Sequence, residues 1–189
     1  AGLEARAGFD VGRLGLRAAP KPLVLYASDQ THFSVRKSVR TLGLGTDALR
    51  VVPTDADYRI DLERLDAMIR QDRADGFQPF AVIGSAGTTN TGAIDDLSAL
   101  ADLAGRENLW FHVDGAIGAV FGFVPELRSL VRGMERADSL AFDLHKWMVV
   151  PIEAGVTLVR DEAVLKRAFS ATAGYVSPLH GGIGEDAMR

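Results

Sequence analysis

Two apolar segments of this chain each end in residues that are capable of chemistry. The run Leu140–Phe142 leads to His145 and Lys146, and the run Leu109–Val113 leads to Asp114. Continuous apolar runs of this kind are typical of buried strands in a parallel sheet. A lysine amine can hold an aldehyde as a Schiff base, and an acid on a neighbouring strand can pair with a pyridinium nitrogen. The pattern therefore predicts a site for pyridoxal phosphate.

Further polar residues follow other predicted strands. Together with those above, the residues that come just after a strand are His32, Thr88, Thr89, Asp114, His145 and Lys146. Ligands of parallel sheets bind beyond the carboxyl ends of the strands. We therefore expect these side chains to share one edge of one sheet, and this convergence carries more weight than any single residue.

Strands and helices are predicted to alternate along the chain. Apolar runs bounded by proline, glycine or polar residues predict strands, and apolar residues at helical spacing predict helices. The predicted strands are Leu23–Tyr26, Leu49–Val52, Phe80–Ile83, Leu109–Val113, Leu140–Phe142 and Gly155–Val159. The predicted helices are Thr31–Leu42, one capped by Asp61, one beginning at Asp95 or Asp96, and Asp161–Phe169.

This order predicts an α/β fold, in which helices cover both faces of a mostly parallel sheet. The last strand, Gly155–Val159, follows its predecessor too closely for a helical crossover. We therefore expect this one strand to be antiparallel to the strand before it.

The composition is that of an ordinary globular protein. The 189 residues include 21 Lys and Arg and 25 Asp and Glu, for a net charge of −4, with the two signs interspersed. The sequence has no basic stripe of the kind that indicates nucleic-acid binding. No apolar stretch approaches the ~18 residues of a membrane span. Cysteine is absent, which excludes disulfides and thiolate chemistry and favours a reducing compartment, so we expect the cytoplasm.

Each candidate residue also has a structural interpretation. Asp114 alone is at least as well explained as the N-cap of a following helix, and His32 as a histidine at a helix start. His112 lies inside a predicted strand, where a structural or supporting role is the default. Lys146 lies between apolar residues, and a buried lysine requires a partner or a reaction.

Other kinds of site are disfavoured. His112 and Asp114 point to the same face of a strand, but Lys146 nearby would repel a cation, so we expect no metal site. The loop Gly84–Gly92 lacks the lysine of a nucleotide-binding P-loop, although its glycines and hydroxyls suit close approach to a phosphate or a partner subunit. The Gly-x-Ser-x-Gly motif of a serine hydrolase is missing.

Four segments give the chain a resemblance to a known family. They are Tyr26–His32, Gly87–Gly92, His112–Ala116 and Asp143–Trp147. In order and spacing they resemble the pyridoxal-phosphate-dependent group II amino-acid decarboxylases, and most of all their aromatic-L-amino-acid branch. The resemblance implies the large domain of a fold-type-I enzyme. It also implies that a phosphate-binding segment precedes residue 1 and that a small domain follows residue 189.

The resemblance implies a role for each matching residue. Lys146 would form the Schiff base, Asp114 would pair with the pyridine nitrogen, and His32 and Ala116 would lie on the two ring faces. The remaining assignments place His145 and Asp143 by the cofactor phosphate, Thr89 near the active-site histidine and substrate, and Tyr175 on a mobile loop as the proton donor to the decarboxylated substrate.

The implied activity is decarboxylation of an L-amino acid to the amine and carbon dioxide. The resemblance to the aromatic-L-amino-acid branch favours an aromatic substrate. The implied assembly is a homodimer with its active site at the subunit interface. Because Tyr175 and His32 are both present, decarboxylation is favoured over the aldehyde-forming reaction of some relatives. The alternatives left open are an aldehyde synthase, a lyase, a transaminase or a non-catalytic protein of this fold.

Overall fold

The computed structural model describes residues 1–169, and its framework is a mixed sheet of six strands. The strands are β1 (Leu23–Ser28), β2 (Leu49–Val52), β3 (Gln78–Ser85), β4 (Trp110–Asp114), β5 (Ser139–Asp143) and β6 (Gly155–Val159). Their order across the sheet is β2-β1-β3-β4-β5-β6. All neighbouring pairs are parallel except β5 and β6, which are antiparallel. The predicted sheet, including its antiparallel last strand, is confirmed.

Helices connect the strands as predicted, with small differences at their ends. The α-helices are α1 (Gly2–Arg6), α2 (Val11–Leu14), α3 (Ser34–Thr41), α4 (Leu62–Ala74), α5 (Leu97–Arg106) and α6 (Glu162–Phe169). Short 3₁₀ helices cover Leu16–Ala18, Thr46–Ala48, Gly118–Phe123, Arg128–Val131 and Met134–Arg136. Helix α3 begins three residues later than predicted because Thr31 is held in a turn, where its N–H donates to the carbonyl of Ser28.

Two aspartates begin helices as expected. Asp61 caps α4 by accepting from the backbone N–H of Arg64. Asp96 caps α5 by accepting from the N–H of Ala99 at 2.9 Å. The sequence leaves Asp95 and Asp96 equivalent as caps, and the structure assigns the role to Asp96.

Both faces of the central strands β1 and β3 are buried, which explains why these strands are continuous apolar runs. On one face, α4 and α5 pack their buried leucines and isoleucine against the sheet. On the other face, α1, α3 and α6 lie against a second apolar cluster. In β1 the side chains alternate between the two clusters, with Val24 on the first and Leu25 on the second.

A buried polar cluster lies on the α4 face. Tyr26 donates a hydrogen bond of 2.7 Å to Asp72, whose carboxylate also pairs with Arg50 at 2.9 Å. Burial and the Asp72 hydrogen bond raise the pKa of the Tyr26 hydroxyl, so it stays a neutral donor. The cluster ties β1, β2 and α4 together, because its three residues come from these three elements. Loss of any one of them would leave a buried polar group without its partner, which is destabilising.

The parallel strands bring the candidate residues to one edge. Asp114 is the last residue of β4, and it lies in register with Ser85 at the end of β3 and with Ala141 in β5. No helix within residues 1–169 is long and apolar enough to cross a membrane.

Candidate active site

A cavity of about 570 Å³ opens at the carboxyl edge of the sheet. The predicted site residues that line it are His32, Asp114, Ala116, Asp143 and Lys146, and His112 lines it as well. A smaller cavity of about 20 Å³ adjoins these residues and is lined by Thr88 and Thr89 together with His32, Asp114, Ala116 and Lys146. Residues far apart in sequence therefore meet in one place, because each follows a strand of the same parallel sheet.

Lys146 lies in the turn that follows β5 and forms an ion pair across that turn. Its Nζ lies 2.9 Å from Oδ2 of Asp143, and both side chains are partly exposed, at 39% and 28%. The backbone N–H of Lys146 also donates to the carbonyl of Asp143 at 3.3 Å. Asp143 thus holds the amine at the cavity, a contact that the sequence did not predict.

Asp114 turns its carboxylate toward the cavity and does not cap a helix. Its Oδ1 accepts from the N–H of Ala116 at 3.1 Å. The 3₁₀ helix Gly118–Phe123 begins after Ile117, which makes no side-chain cap. The interpretation of Asp114 as a helix cap is therefore wrong, since the chain makes a tight turn at Ala116 before any helix starts.

His32 belongs to the cavity and to the start of α3 at once. Its Nδ1 lies 2.8 Å from Oγ of Ser34, the first residue of the helix. Ser34 also lines the larger cavity. Sequence reasoning missed Ser34, although a serine two residues after a histidine, at a predicted helix start, is the signal that could have identified it.

The two threonines of the loop after β3 have different environments. Thr88 is buried, and its hydroxyl contacts that of Thr91 at 2.7 Å and accepts from the N–H of Ala93 at 3.2 Å. Thr89 is exposed and lines the small cavity together with His32 and Lys146. Both threonines therefore line the small cavity, and Thr88 also holds the loop together.

His145 lies outside both cavities. Its Nδ1 accepts from the N–H of Ala154 at 3.1 Å, and its Nε2 lies 3.8 Å from Oδ2 of Asp143. These contacts hold the turn after β5 against the start of β6. Its role near the cofactor phosphate stays a prediction, as does that of Tyr175, which lies outside the described residues.

His112 is held beneath the cavity by β5. Its Nδ1 lies 2.8 Å from Oγ of Ser139, and the same oxygen accepts from Nε1 of Trp110 at 2.8 Å. Burial lowers the pKa of His112, although the charge of Asp114 and the backbone of Ser139 oppose this effect. A neutral imidazole therefore lies two residues before Asp114 on the same strand.

Asp95 is a second residue whose importance the sequence did not reveal. It is 3% exposed, and its two carboxylate oxygens accept from the N–H groups of Ile60 and Ser85, each at 2.7 Å. Burial raises the pKa of Asp95, although these two hydrogen bonds oppose the shift. It connects the loop before α4 to the end of β3, directly beside the site.

Cavity size alone would have pointed elsewhere. A cavity of about 740 Å³ lies between the 3₁₀ helices and strands β5 and β6, and apolar residues such as Phe123, Leu140 and Phe142 line it. It contains none of the predicted site residues. The candidate active site is identified by its chemistry rather than by its volume.

The residues that line the 570 Å³ cavity fit pyridoxal phosphate. Lys146 would supply an amine for the aldehyde, Asp114 a carboxylate for the ring nitrogen, and His32 and Ala116 an aromatic ring and a small residue for the two ring faces. No group of three or more His, Cys, Asp or Glu within residues 1–169 is placed to hold a metal ion. The lining of this cavity presents an amine, that of Lys146, and a carboxylate, that of Asp114.

Comparison with known proteins gives a consistent result. The family model for the pyridoxal-dependent decarboxylase conserved domain matches residues 16–189. The chain is 40% identical over 153 residues to an aromatic-L-amino-acid decarboxylase of Bacillus atrophaeus, covering 81% of this chain and 32% of that protein. It is 41% identical over 168 residues to cysteine sulfinic acid decarboxylase of Mus musculus, covering 88% of this chain and 34% of that protein.

A solved structure agrees in fold. The crystal structure of Oryza sativa TDC with PLP and tryptamine superimposes with a TM-score of 0.84 at 31% identity, covering 99% of this chain and 38% of that one. The chain spans about a third of the length of the curated relatives it matches.

Proposed function

This chain belongs to the pyridoxal-dependent decarboxylase family, and on that premise we propose that the protein carrying it decarboxylates an L-amino acid. The products are carbon dioxide and the amine. The observation that carries the proposal is that Lys146, in the turn after β5, and Asp114, at the end of β4, line one cavity with His32 and Ala116. An amine and an acid brought to one concave site are the two groups that this chemistry requires.

Pyridoxal phosphate, when bound, supplies an aldehyde that condenses with amines and a ring that accepts the electron pair of the breaking bond. Lys146 is the residue that would hold the aldehyde. Asp114 would hold a proton on the ring nitrogen, because a carboxylate in a partly desolvated site stabilises a neighbouring positive charge. His32 and Ala116 would confine the ring from its two sides.

The remaining residues prepare these groups. Asp143 keeps the ammonium of Lys146 at the cavity, and the amine must leave this ion pair and lose a proton before it acts as a nucleophile. Thr89 would contact the substrate, and its position beside His32 in the lining of the 20 Å³ cavity supports that role. Tyr175 would return a proton to the substrate Cα, and His145 would steady the turn that carries Lys146.

An aromatic amino acid is the first substrate to test. It is supported by the four sequence motifs and by the Bacillus relative at 40% identity. A relative named for cysteine sulfinic acid is equally similar, at 41%, so the panel of substrates must include acidic amino acids.

We further propose a homodimer with the active site at the subunit interface, and a cytoplasmic location. The resemblance to the decarboxylases supports the dimer. The absence of cysteine supports a reducing compartment.

Borohydride reduction of the full-length holoenzyme, followed by peptide mapping, tests the assignment of Lys146. The pyridoxyl mass should appear on Lys146 and disappear in Lys146→Ala, with Lys166→Ala as the control lysine. Label on another lysine overturns the assignment.

A product assay tests the reaction. The enzyme should release carbon dioxide and amine from at least one aromatic or acidic L-amino acid. Aldehyde and ammonia as the main products would indicate an aldehyde synthase. Transfer of the amino group to an acceptor would indicate a transaminase. No turnover would indicate a non-catalytic member of the fold.

A further inference from the structure

The last residue of β3, Ser85, has its main chain fixed by one aspartate. The N–H of Ser85 donates to Oδ2 of Asp95 at 2.7 Å, and its carbonyl oxygen accepts from the N–H of Asp95 at 3.0 Å. Both residues are 3% exposed. Because both backbone groups of Ser85 are bonded to the same buried residue, the direction in which its side chain leaves the strand is well defined.

The side chain of Ser85 points toward the candidate active site. Side chains alternate between the two faces of a strand. Ile83, two residues earlier, lines the 570 Å³ cavity, whereas a side chain at Gly84 would meet Leu100 on the opposite face. Ser85 therefore lies on the face of Ile83, and it lines the 20 Å³ cavity together with Asp114. These two residues are direct neighbours, because they are paired in register across β3 and β4.

The hydroxyl of Ser85 is almost enclosed, yet it has no partner among the described residues. Within residues 1–169 it makes no hydrogen bond, and it is open to the 20 Å³ cavity. The large majority of polar groups buried to this extent are hydrogen-bonded, so an exception requires an explanation such as a ligand. The other hydroxyls of this cavity differ, because that of Thr88 is bonded within its own loop and Thr89 is exposed. Ser85 therefore presents a buried hydroxyl that is available to a ligand.

The volume of the small cavity limits what the ligand group can be. A cavity needs roughly 10–15 Å³ to hold one water molecule, which also needs about two to four polar partners. At about 20 Å³, the cavity has room for a single oxygen atom and is too small for a phosphate group. The carboxylate of Asp114 and the amine of Lys146 add further polar groups to its lining. The cavity therefore suits one group of the size of a hydroxyl.

We propose that the 20 Å³ cavity is a subsite for one oxygen atom, and that the hydroxyl of Ser85 forms a hydrogen bond with this oxygen when ligand is bound. The inference rests on the proposed function for the identity of the ligand. Pyridoxal phosphate carries one hydroxyl directly on its ring, beside the aldehyde that Lys146 would hold, and this hydroxyl has the required size. A water molecule retained between Ser85 and the ligand offers the same chemistry. Ser85 is thus a further ligand-binding residue.

Two substitutions separate the hydrogen bond from packing. Ser85→Ala removes the hydroxyl, whereas Ser85→Cys keeps a side chain of similar size whose S–H is only a weak donor. Ser28→Ala is the matched control, because Ser28 ends β1 at 4% exposure, contacts the hydroxyl of Thr31 at 3.3 Å and lines neither of these two cavities. Each apo full-length protein is titrated by absorbance with pyridoxal phosphate and with its 3-deoxy analogue, which lacks the ring hydroxyl. Thermal unfolding of each apo form is recorded alongside.

Both Ser85 variants should bind pyridoxal phosphate about tenfold more weakly than wild type, and Ser28→Ala should stay within about twofold. If the loss nearly disappears with the 3-deoxy analogue, the oxygen is the ring hydroxyl. An equal loss with both compounds assigns the oxygen to a water molecule in the subsite. Wild-type affinity in either Ser85 variant overturns the subsite, and so does an equal loss in Ser28→Ala. The wild-type titration reports separately on the proposed function: no binding of pyridoxal phosphate there overturns both proposals, whereas normal wild-type binding with unchanged Ser85 variants overturns only this one.

Discussion

Replacing Asp95 by alanine should destabilise the fold far more than the same change at its neighbour Asp96. Asp95 accepts two backbone hydrogen bonds, from Ile60 and Ser85, at 2.7 Å each. All three residues are about 3% exposed. Asp95→Ala leaves both N–H groups buried without a partner, which costs about 1–3 kcal/mol each.

Part of that cost is offset. Burial raises the pKa of Asp95, so the ionised carboxylate is itself unfavourable in the folded protein, and its removal recovers some free energy. We therefore expect a net loss of about 2–4 kcal/mol. Asp96 is an exposed helix cap whose removal should cost about 1 kcal/mol.

Urea unfolding of the apo full-length protein at neutral pH measures both variants, and hydrogen exchange at the Ser85 amide reports on the local change. The raised pKa also fixes the sign of the pH dependence. Stability from this group is present when the carboxyl is protonated and is lost as pH rises through the folded pKa. Mild acidification should therefore stabilise wild type relative to Asp95→Asn. A loss in Asp95→Ala no larger than in Asp96→Ala would refute the reasoning.

Three further outcomes are expected. Asp114→Asn should reduce turnover by at least 100-fold in cofactor-saturated enzyme with unchanged circular dichroism, because an amide carries no charge to hold the ring nitrogen protonated; near-wild-type turnover would remove Asp114 from the mechanism. Tyr175→Phe should keep cofactor binding but let molecular oxygen compete with proton return, so aldehyde and ammonia should rise relative to amine in a product assay; an unchanged amine yield would return Tyr175 to a surface role. Gly118→Ala should lower the urea midpoint by an amount equivalent to about 3 kcal/mol, because the new Cβ would lie 2.5 Å from the carbonyl oxygen of Ala86. In the control variant Gly122→Ala, the new Cβ meets only the flexible end of a methionine. Equal losses of stability in the two variants would contradict the predicted clash at Gly118.

The sequence by itself determined the framework of this protein. Hydrophobic runs fixed the strands, because burying continuous apolar segments on both faces requires a covered parallel sheet. The short connection between Phe142 and Gly155 fixed the antiparallel last strand, since a parallel return needs a crossover. The meeting of Lys146 and Asp114 followed from the same rule, because parallel strands end at one edge.

Only the tertiary structure decided what each polar side chain contacts at that edge. Turns and rotamers, which the periodicity of apolar residues does not encode, determine three features of the site. They are the ion pair of Lys146 with Asp143, the burial of Asp95 rather than Asp96, and the position of His145 outside the cavity. The partners of His112 come from a neighbouring strand 27 residues away. A pattern of apolar residues specifies which face is buried, but a hydrogen bond needs distances and directions that exist only after the strands have paired.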